Sequence, residues 1–264
     1  MIYTNLLNPT ENRNIVEQKG NFTVLEYERD LSVDEHNAME AFYAAQMNLK
    51  KRVLVASLKD HGVILQSGTM QMMLGNVKAG TDVSGATDLF KKALSSAVTS
   101  ESVIKPHYTG SGVVVLEPTY HYLLIEDVAD WNGALTVEDG MFLACSDTVQ
   151  LQIQARDSLS SAFFGREGLF NTKLTGAGYV VLESEVPREE LIQVELQDDE
   201  LRIDGNYAVC WSSNLKFTVE KTTKTLTGSL VSGEGLVNVF RGTGRVYIAP
   251  VRKGMYQGTP PKNL

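Results

Sequence analysis

"TGSGVVVLEP", residues 109–118, runs a pair of glycines into a strand of β-branched residues, and the chain repeats the pattern twice, as "TGAGYVVLES" at 175–184 and "RGTGRVYIAP" at 241–250. The pairs are Gly110 and Gly112, Gly176 and Gly178, and Gly242 and Gly244. Internal self-similarity of this kind marks a chain assembled from repeated supersecondary units. A nucleotide-binding fingerprint needs a third glycine and a following helix whose N-terminus meets the phosphate. Here each pair opens onto a strand, and three phosphate sites in one small chain are not expected. The six glycines are therefore read as structural repeat turns, supplying positive φ or close backbone approach.

The similarity extends on both sides. "SESVIKPHYTGSGVVVLE" (100–117) lies over "REGLFNTKLTGAGYVVLE" (166–183) without a gap, and "GEGLVNVFRGTGRVYIAP" (233–250) repeats Asn171 as Asn238. Glu101, Glu167 and Glu234 recur as a set. Upstream, "EDGMFLACSDTVQLQIQ" (138–154) resembles "IDGNYAVCWSSNLKFTVE" (203–220): an Asp-Gly turn at Asp139 or Asp204, then Cys145 or Cys210, then strict alternation. The first copy offers "DHGVILQSGTMQMML" (60–74), with Gly62 at the turn and Ser67 in the cysteine slot. Period-two strands between regular turn signals predict an all-β sandwich or barrel. The expected organisation is an N-terminal strand and helix extension at 1–51, repeat units at 52–132, 133–199 and 200–252, and a loose tail at 253–264. "GNFTVLEYERD" (20–30) is the extension's strand, and Ser32 to Glu35 form a capping box before a helix in "HNAMEAFYAAQMNL" (36–49). A second, weaker helix is expected in "ATDLFKKALSSAV" (86–98).

The chain has 264 residues, 43% hydrophobic and 21% charged, with a formal net charge of −8. That balance disfavours unspecific binding to nucleic acid or anionic membrane, both of which need basic surface. No apolar run reaches the length of a transmembrane helix, and the N-terminus has neither a basic n-region nor an apolar h-region. With only two cysteines, the expectation is a cytoplasmic protein with reduced, buried thiols. The candidates for chemistry are sparse. Ser102-x-x-Lys105 and Ser213-x-x-Lys216 match a serine–lysine nucleophile pattern without companion motifs. His107 and His121 flank one hairpin, while His36 and His61 stand apart. No catalytic, cofactor-binding or metal-binding residue is assigned.

The stretches "EDGMFLAC" (138–145), "GREGLFNTKLTGAG" (165–178) and "GEGLVNVFRGTGRVYIAP" (233–250), in this order and spacing, resemble the altered inheritance of mitochondria protein 24 family over about residues 50 to 250. The resemblance implies a fold related to the tryptophan RNA-binding attenuation protein, with β-sandwich units of double-stranded β-helix character repeated within one chain. Together with the repeats it gives the expected architecture of three tandem units in a pseudo-threefold arrangement. It implies no catalytic residue, and the family's mitochondrial members are linked to inner-membrane organisation. The expected function is a non-enzymatic, homo-oligomeric binding or scaffold protein with an unknown protein partner. The alternatives are an RNA- or small-ligand-binding regulator, by analogy of fold, and an enzyme of undetected class.

Overall fold

The computed structural model describes residues 2–80, 105–155, 170–204, 207–221 and 236–251. In chain order the elements are β1 (Arg13–Lys19), β2 (Phe22–Tyr27), α1 (Ala38–Gln46), β3 (Lys51–Ser57), β4 (Val63–Leu65), β5 (Met70–Gly80), β6 (His107–Leu116) and β7 (Tyr122–Asp127). There follow β8 (Ala134–Val137), β9 (Phe142–Ser146), β10 (Val149–Ala155), β11 (Phe170–Gly176), β12 (Tyr179–Ser184), β13 (Ile192–Asp204), β14 (Ala208–Ser212), β15 (Lys216–Lys221) and β16 (Leu236–Ile248). The chain is all-β, with one α-helix among the described residues.

By its contacts the chain divides into two compact units, each discontinuous in sequence: Met1–Asp127 with Phe142–Gln150 and Gly176–Ser184, and the remainder. The first carries a nine-stranded sheet in the order β1-β2-β3-β6-β4-β9-β12-β7, with β5 also paired to β6. Its core gathers Phe22, Val24, Leu54, Val63, Leu65, Val114, Ile125 and Val181, all buried. The second carries a seven-stranded sheet in the order β10-β11-β8-β14-β16-β13, with β15 also paired to β16. Trp211, stacked 5.4 Å from Phe217 and edge-on 5.2 Å from Phe240, centres its core. In each of the three sequence segments the alternating strand pairs with the glycine-pair strand: β5 with β6, β10 with β11, and β15 with β16.

The nine-stranded sheet curls until its two edge strands meet, and side chains complete what backbone pairing does not. On β1, Lys19 donates to the Ile125 carbonyl of β7 at 2.8 Å, and Glu17 accepts from the Ile125 N–H at 3.3 Å. Lys19 and Glu17 are themselves 2.8 Å apart. The pair supplies the acceptor and donor that a neighbouring strand would offer, so both edges are blunted.

The glycine pairs depart from the expectation of turns between strands. Gly110 and Gly112 lie inside β6, and Gly242 and Gly244 inside β16; only at Gly176 and Gly178 does the strand break, between β11 and β12. Each pair is a bend at which the strand changes partner. β6 pairs with β4 at His107 and Tyr108 and with β3 at Val113–Val115. Before its pair β16 faces β15, and after it β14; β11 pairs with β8, and beyond the break β12 pairs with β9. The first glycine has the same conformation in all three, φ +109° at Gly110, +110° at Gly176 and +117° at Gly242. The second gives close approach: a Cβ would strike the Leu74 carbonyl at Gly112, Thr148 Oγ1 at 2.7 Å at Gly178, and Ser212 Cβ at 2.9 Å at Gly244.

Other expectations shift. β2 is not part of an appended extension, since it pairs with β3 from Phe22 opposite Ala56 to Tyr27 opposite Lys51. β1 was not expected; it is the edge strand beyond β2. The helix begins at Ala38 after Asn37, which makes no side-chain cap. The capping box fails because Ser32 donates its hydroxyl to Asp30 at 2.5 Å, while Asp34 accepts from the His36 and Asn37 N–H groups. The division between residues 199 and 200 falls inside β13. The second expected helix (86–98), the tail (253–264) and Ser102, Glu101, Glu167 and Glu234 lie outside the described residues.

Gly176→Ala is expected to cost about 1–3 kcal/mol through the forced positive φ. Gly112→Ala should cost more, because backbone must move, while Gly80→Ala, whose Cβ meets only the His107 carbonyl at 4.0 Å, should stay within about 0.5 kcal/mol. Urea unfolding midpoints rank the three.

Candidate binding site at helix α1

The strand wall of the site comes from three separated stretches. Arg52 on β3 is almost fully buried, 2% exposed. It donates Nε to Glu26 Oε2 at 2.9 Å and lies 3.9 Å from the Tyr122 ring centroid. Its guanidinium also reaches the Tyr120 and Asn48 carbonyls at 3.3 Å, so one cation binds the loops on either side of it. Such a buried charge is tolerable only with this density of acceptors. Lys50 donates to Glu28 at 2.6 Å and sits 3.2 Å from Glu26, and Lys51 donates to Asp30 at 2.9 Å. The Tyr120 hydroxyl also donates to Asp30.

These bonds shift the groups that make them. Bonds from Ser32 first, then from Tyr120 and Lys51, hold the Asp30 carboxyl well below the usual carboxylate range. The same bond to Asp30, with partial burial, pushes Tyr120 up to about 12. The bond from Lys50 lowers Glu28, and the bond to Glu28 raises Lys50.

Against this wall stands α1, with a cavity of about 240 Å³ between them. Ala41, Ala44, Ala45 and Leu49 form its apolar side, and Tyr27, Glu28, Asp30, Lys50, Lys51 and Tyr120 its polar side. The lysines and the carboxylates of the strand wall are already paired with one another. The space therefore offers packing surface and a rigid hydrogen-bonded floor. No residue of α1 is buried. Its large side chains Met39, Phe42 and Tyr43, and Met47 at its C-terminal cap, point away from the cavity and are 72%, 57%, 63% and 80% exposed.

The residues singled out in the sequence are scattered through the fold. Cys145 on β9 and Cys210 on β14 are buried and not in a disulfide, and burial pushes the Cys145 thiol up. His107 Nε2 faces Asp147 Oδ2 at 3.3 Å, and that oxygen also accepts the Gly62 N–H at 2.8 Å. His121 instead faces Glu183 at 3.6 Å, while His36 lies 3.7 Å from Glu35 on the surface. Ser213 shares a 2.8 Å hydrogen bond with Thr136, and Lys105 bonds Gln66 with its ammonium 5.1 Å over the Phe142 ring. Among the described residues no cluster of three or more His, Cys, Asp or Glu has metal-binding geometry. Nor is any described helix long and apolar enough to cross a membrane. Arginines on the second sheet are matched by acids: Arg241 by Glu200 and Glu220 at 2.5 Å, and Arg245 by Glu195 at 2.5 Å. The helix was expected within 36–49 and stands at Ala38–Gln46, but the wall beneath it was missed because residues 26–30, 50–52 and 120–122 are far apart along the chain and come together only through sheet pairing.

Fold and site together define an all-β protein of partner-switching strands, with an apolar-faced helix near its N-terminus. The chain belongs to the mitochondrial biogenesis AIM24 family, whose sequence model matches residues 43–251. It is 27% identical over 214 residues to an uncharacterized protein of Streptococcus pyogenes serotype M6, covering 78% of this chain and 84% of that one. A crystal structure of a Streptococcus pyogenes protein superposes with a TM-score of 0.59 at 22% identity, covering 96% of this chain and 99% of the other, which establishes likeness of fold.

The ion-paired floor makes a pH prediction. Asp30 and Glu28 have lowered native values, so their contribution to stability is complete above the unfolded carboxylate range near pH 4 and is lost as pH falls through the native values. Tyr120 has the opposite sign: its contribution is present below pH 10 and is lost as pH rises toward about 12. Ultraviolet titration of tyrosinate should show a step near 12 that Tyr120→Phe removes, leaving the late step of Tyr108, which burial also raises.

Proposed function

We propose that this protein is a non-enzymatic binding or scaffold protein that acts as a homo-oligomer. The observation that carries this reading is the exposed apolar surface at α1, formed by Met39, Phe42 and Tyr43 of the nine-residue helix and by Met47 at its C-terminal cap. Contiguous exposed apolar patches on folded domains mark protein–protein contacts or ligand grooves. The sequence segments 52–132, 133–199 and 200–252 are proposed to be diverged copies of one unit, supported by the recurring positive φ of Gly110, Gly176 and Gly242. Buried thiols at Cys145 and Cys210 support a reducing compartment, the cytoplasm.

A small-ligand role is the second reading, favoured by the cavity of about 240 Å³ beneath α1. RNA binding is disfavoured. Each phosphate contact needs a cation, and Arg202, Arg241 and Arg245 are each matched by a glutamate within 2.6 Å, in a chain of net charge −8.

Light scattering coupled to size exclusion should give a mass at least twice that of one chain, and a monomer at all concentrations would remove the oligomer reading. Fluorescence polarisation with single-stranded RNA should show no saturable binding below micromolar concentration at physiological salt. Submicromolar, salt-sensitive binding would reverse the ranking.

A further inference from the structure

We propose that the outward face of α1 is a self-association surface, on which the α1 of a second copy of this chain docks antiparallel. The proposal rests on the oligomer reading above and names its contact. Helices on globular proteins turn their large apolar side chains toward the core. Here that arrangement is inverted. Ala41, Ala44 and Ala45 face the cavity of about 240 Å³, and Met39, Phe42, Tyr43 and Met47 face away from it. A nine-residue helix is marginal by itself, and this one gains little from burial against its own sheet. Cover on the outward face supplies the missing burial.

The face supplies the centre of a contact with a second copy. Met39, Phe42, Tyr43 and Met47, at roughly 150–200 Å² each, leave about 400–550 Å² uncovered. A standard interface takes about 800 Å² from each partner. The face is also self-complementary in spacing. Positions 39, 42 and 43 form an i, i+3, i+4 ridge, followed by Met47 at the C-terminal cap, that packs against its own twofold image.

Charge selects the occupant and its direction. The helix has no lysine or arginine from Ala38 to Gln46, whereas helices that lie on membranes carry cations on their polar side. Asp34 and Glu35 precede it and Glu40 lies in its first turn. A parallel pair would bring these acidic ends together. An antiparallel pair separates them and opposes the two helix dipoles. The contact lies largely before the family match, which begins at residue 43.

The test compares the full chain with Phe42→Glu by light scattering across a concentration series, with circular dichroism on both. The expected result is an oligomeric wild type and a folded variant whose dimer dissociation constant rises at least about tenfold. Cysteine cross-linking keeps the test open should Phe42→Glu misfold, because Cys145 and Cys210 are buried. Tyr43→Cys should oxidise to a dimer, and mixed Met39→Cys and Met47→Cys chains should cross-link to each other rather than to themselves. A wild-type oligomer unchanged by Phe42→Glu, with no cross-link at Tyr43→Cys, overturns this contact and leaves the oligomer reading standing. A wild-type monomer overturns both, and a monomer that sediments with phosphatidylcholine vesicles assigns the face to lipid. Self-cross-linking at Met39→Cys overturns the antiparallel direction.

Discussion

A strand that gives its hydrogen bonds to one neighbour and then to another must bend where the exchange occurs, and an ordinary residue resists that bend twice. Its Cβ disfavours positive φ, and it blocks the approach of the strand opposite. The glycine pairs remove both obstacles: Gly110, Gly176 and Gly242 take φ between +109° and +117°, and Gly112, Gly178 and Gly244, like Gly110 beside the Asn76 carbonyl, leave room for the neighbouring chain. With these bends a chain of short strands forms two continuous sheets. In the first unit the sheet curls far enough for β1 to reach β7, where Glu17 and Lys19 close the remaining gap through Ile125.

Charge in this protein serves mainly to hold segments together. Arg52 draws the β3 start toward the Tyr120 and Asn48 loops, Asp147 holds Gly62 beside His107, and Arg241 links Glu200 of β13 to Glu220 of β15. Groups committed to such contacts are poor candidates for an acid, a base or a phosphate clamp, since another role would cost the contact. The contrast is α1. Its floor is fully bonded, its inner side is alanine, and its bulky residues meet solvent. That imbalance of burial sets the helix apart from the rest of the fold and directs the functional reading to it.

Much of the architecture was legible because it is local. Alternation at Val149, Leu151 and Ile153, and again at Leu215, Phe217 and Val219, specifies strands with one buried side. The paired cysteine slots foretold two buried thiols, and the recurring glycine pairs marked the places where the backbone would be unusual. Their role was harder to read, because positive φ serves a turn and a bend equally well, and only the pairing partners distinguish the two. β1 escaped notice for a related reason: an edge strand with Arg13, Asn14, Glu17 and Lys19 has no apolar alternation to betray it.

By itself the sequence determined the all-β class and the family, since both reside in residue spacing along the chain. The tertiary structure alone decided which strand meets which, that β1 and β2 extend the first sheet instead of standing apart, and that Glu26, Asp30, Lys50, Arg52 and Tyr120 assemble into one floor. It also decided which way α1 turns. A helical pattern with alanines on one side and Met39, Phe42, Tyr43 and Met47 on the other predicts the larger residues inward, yet the ionic floor leaves the alanines facing the cavity and the apolar ridge exposed. Orientation of a helix depends on the shape and charge of what lies beneath it, and that surface exists only after distant strands have paired.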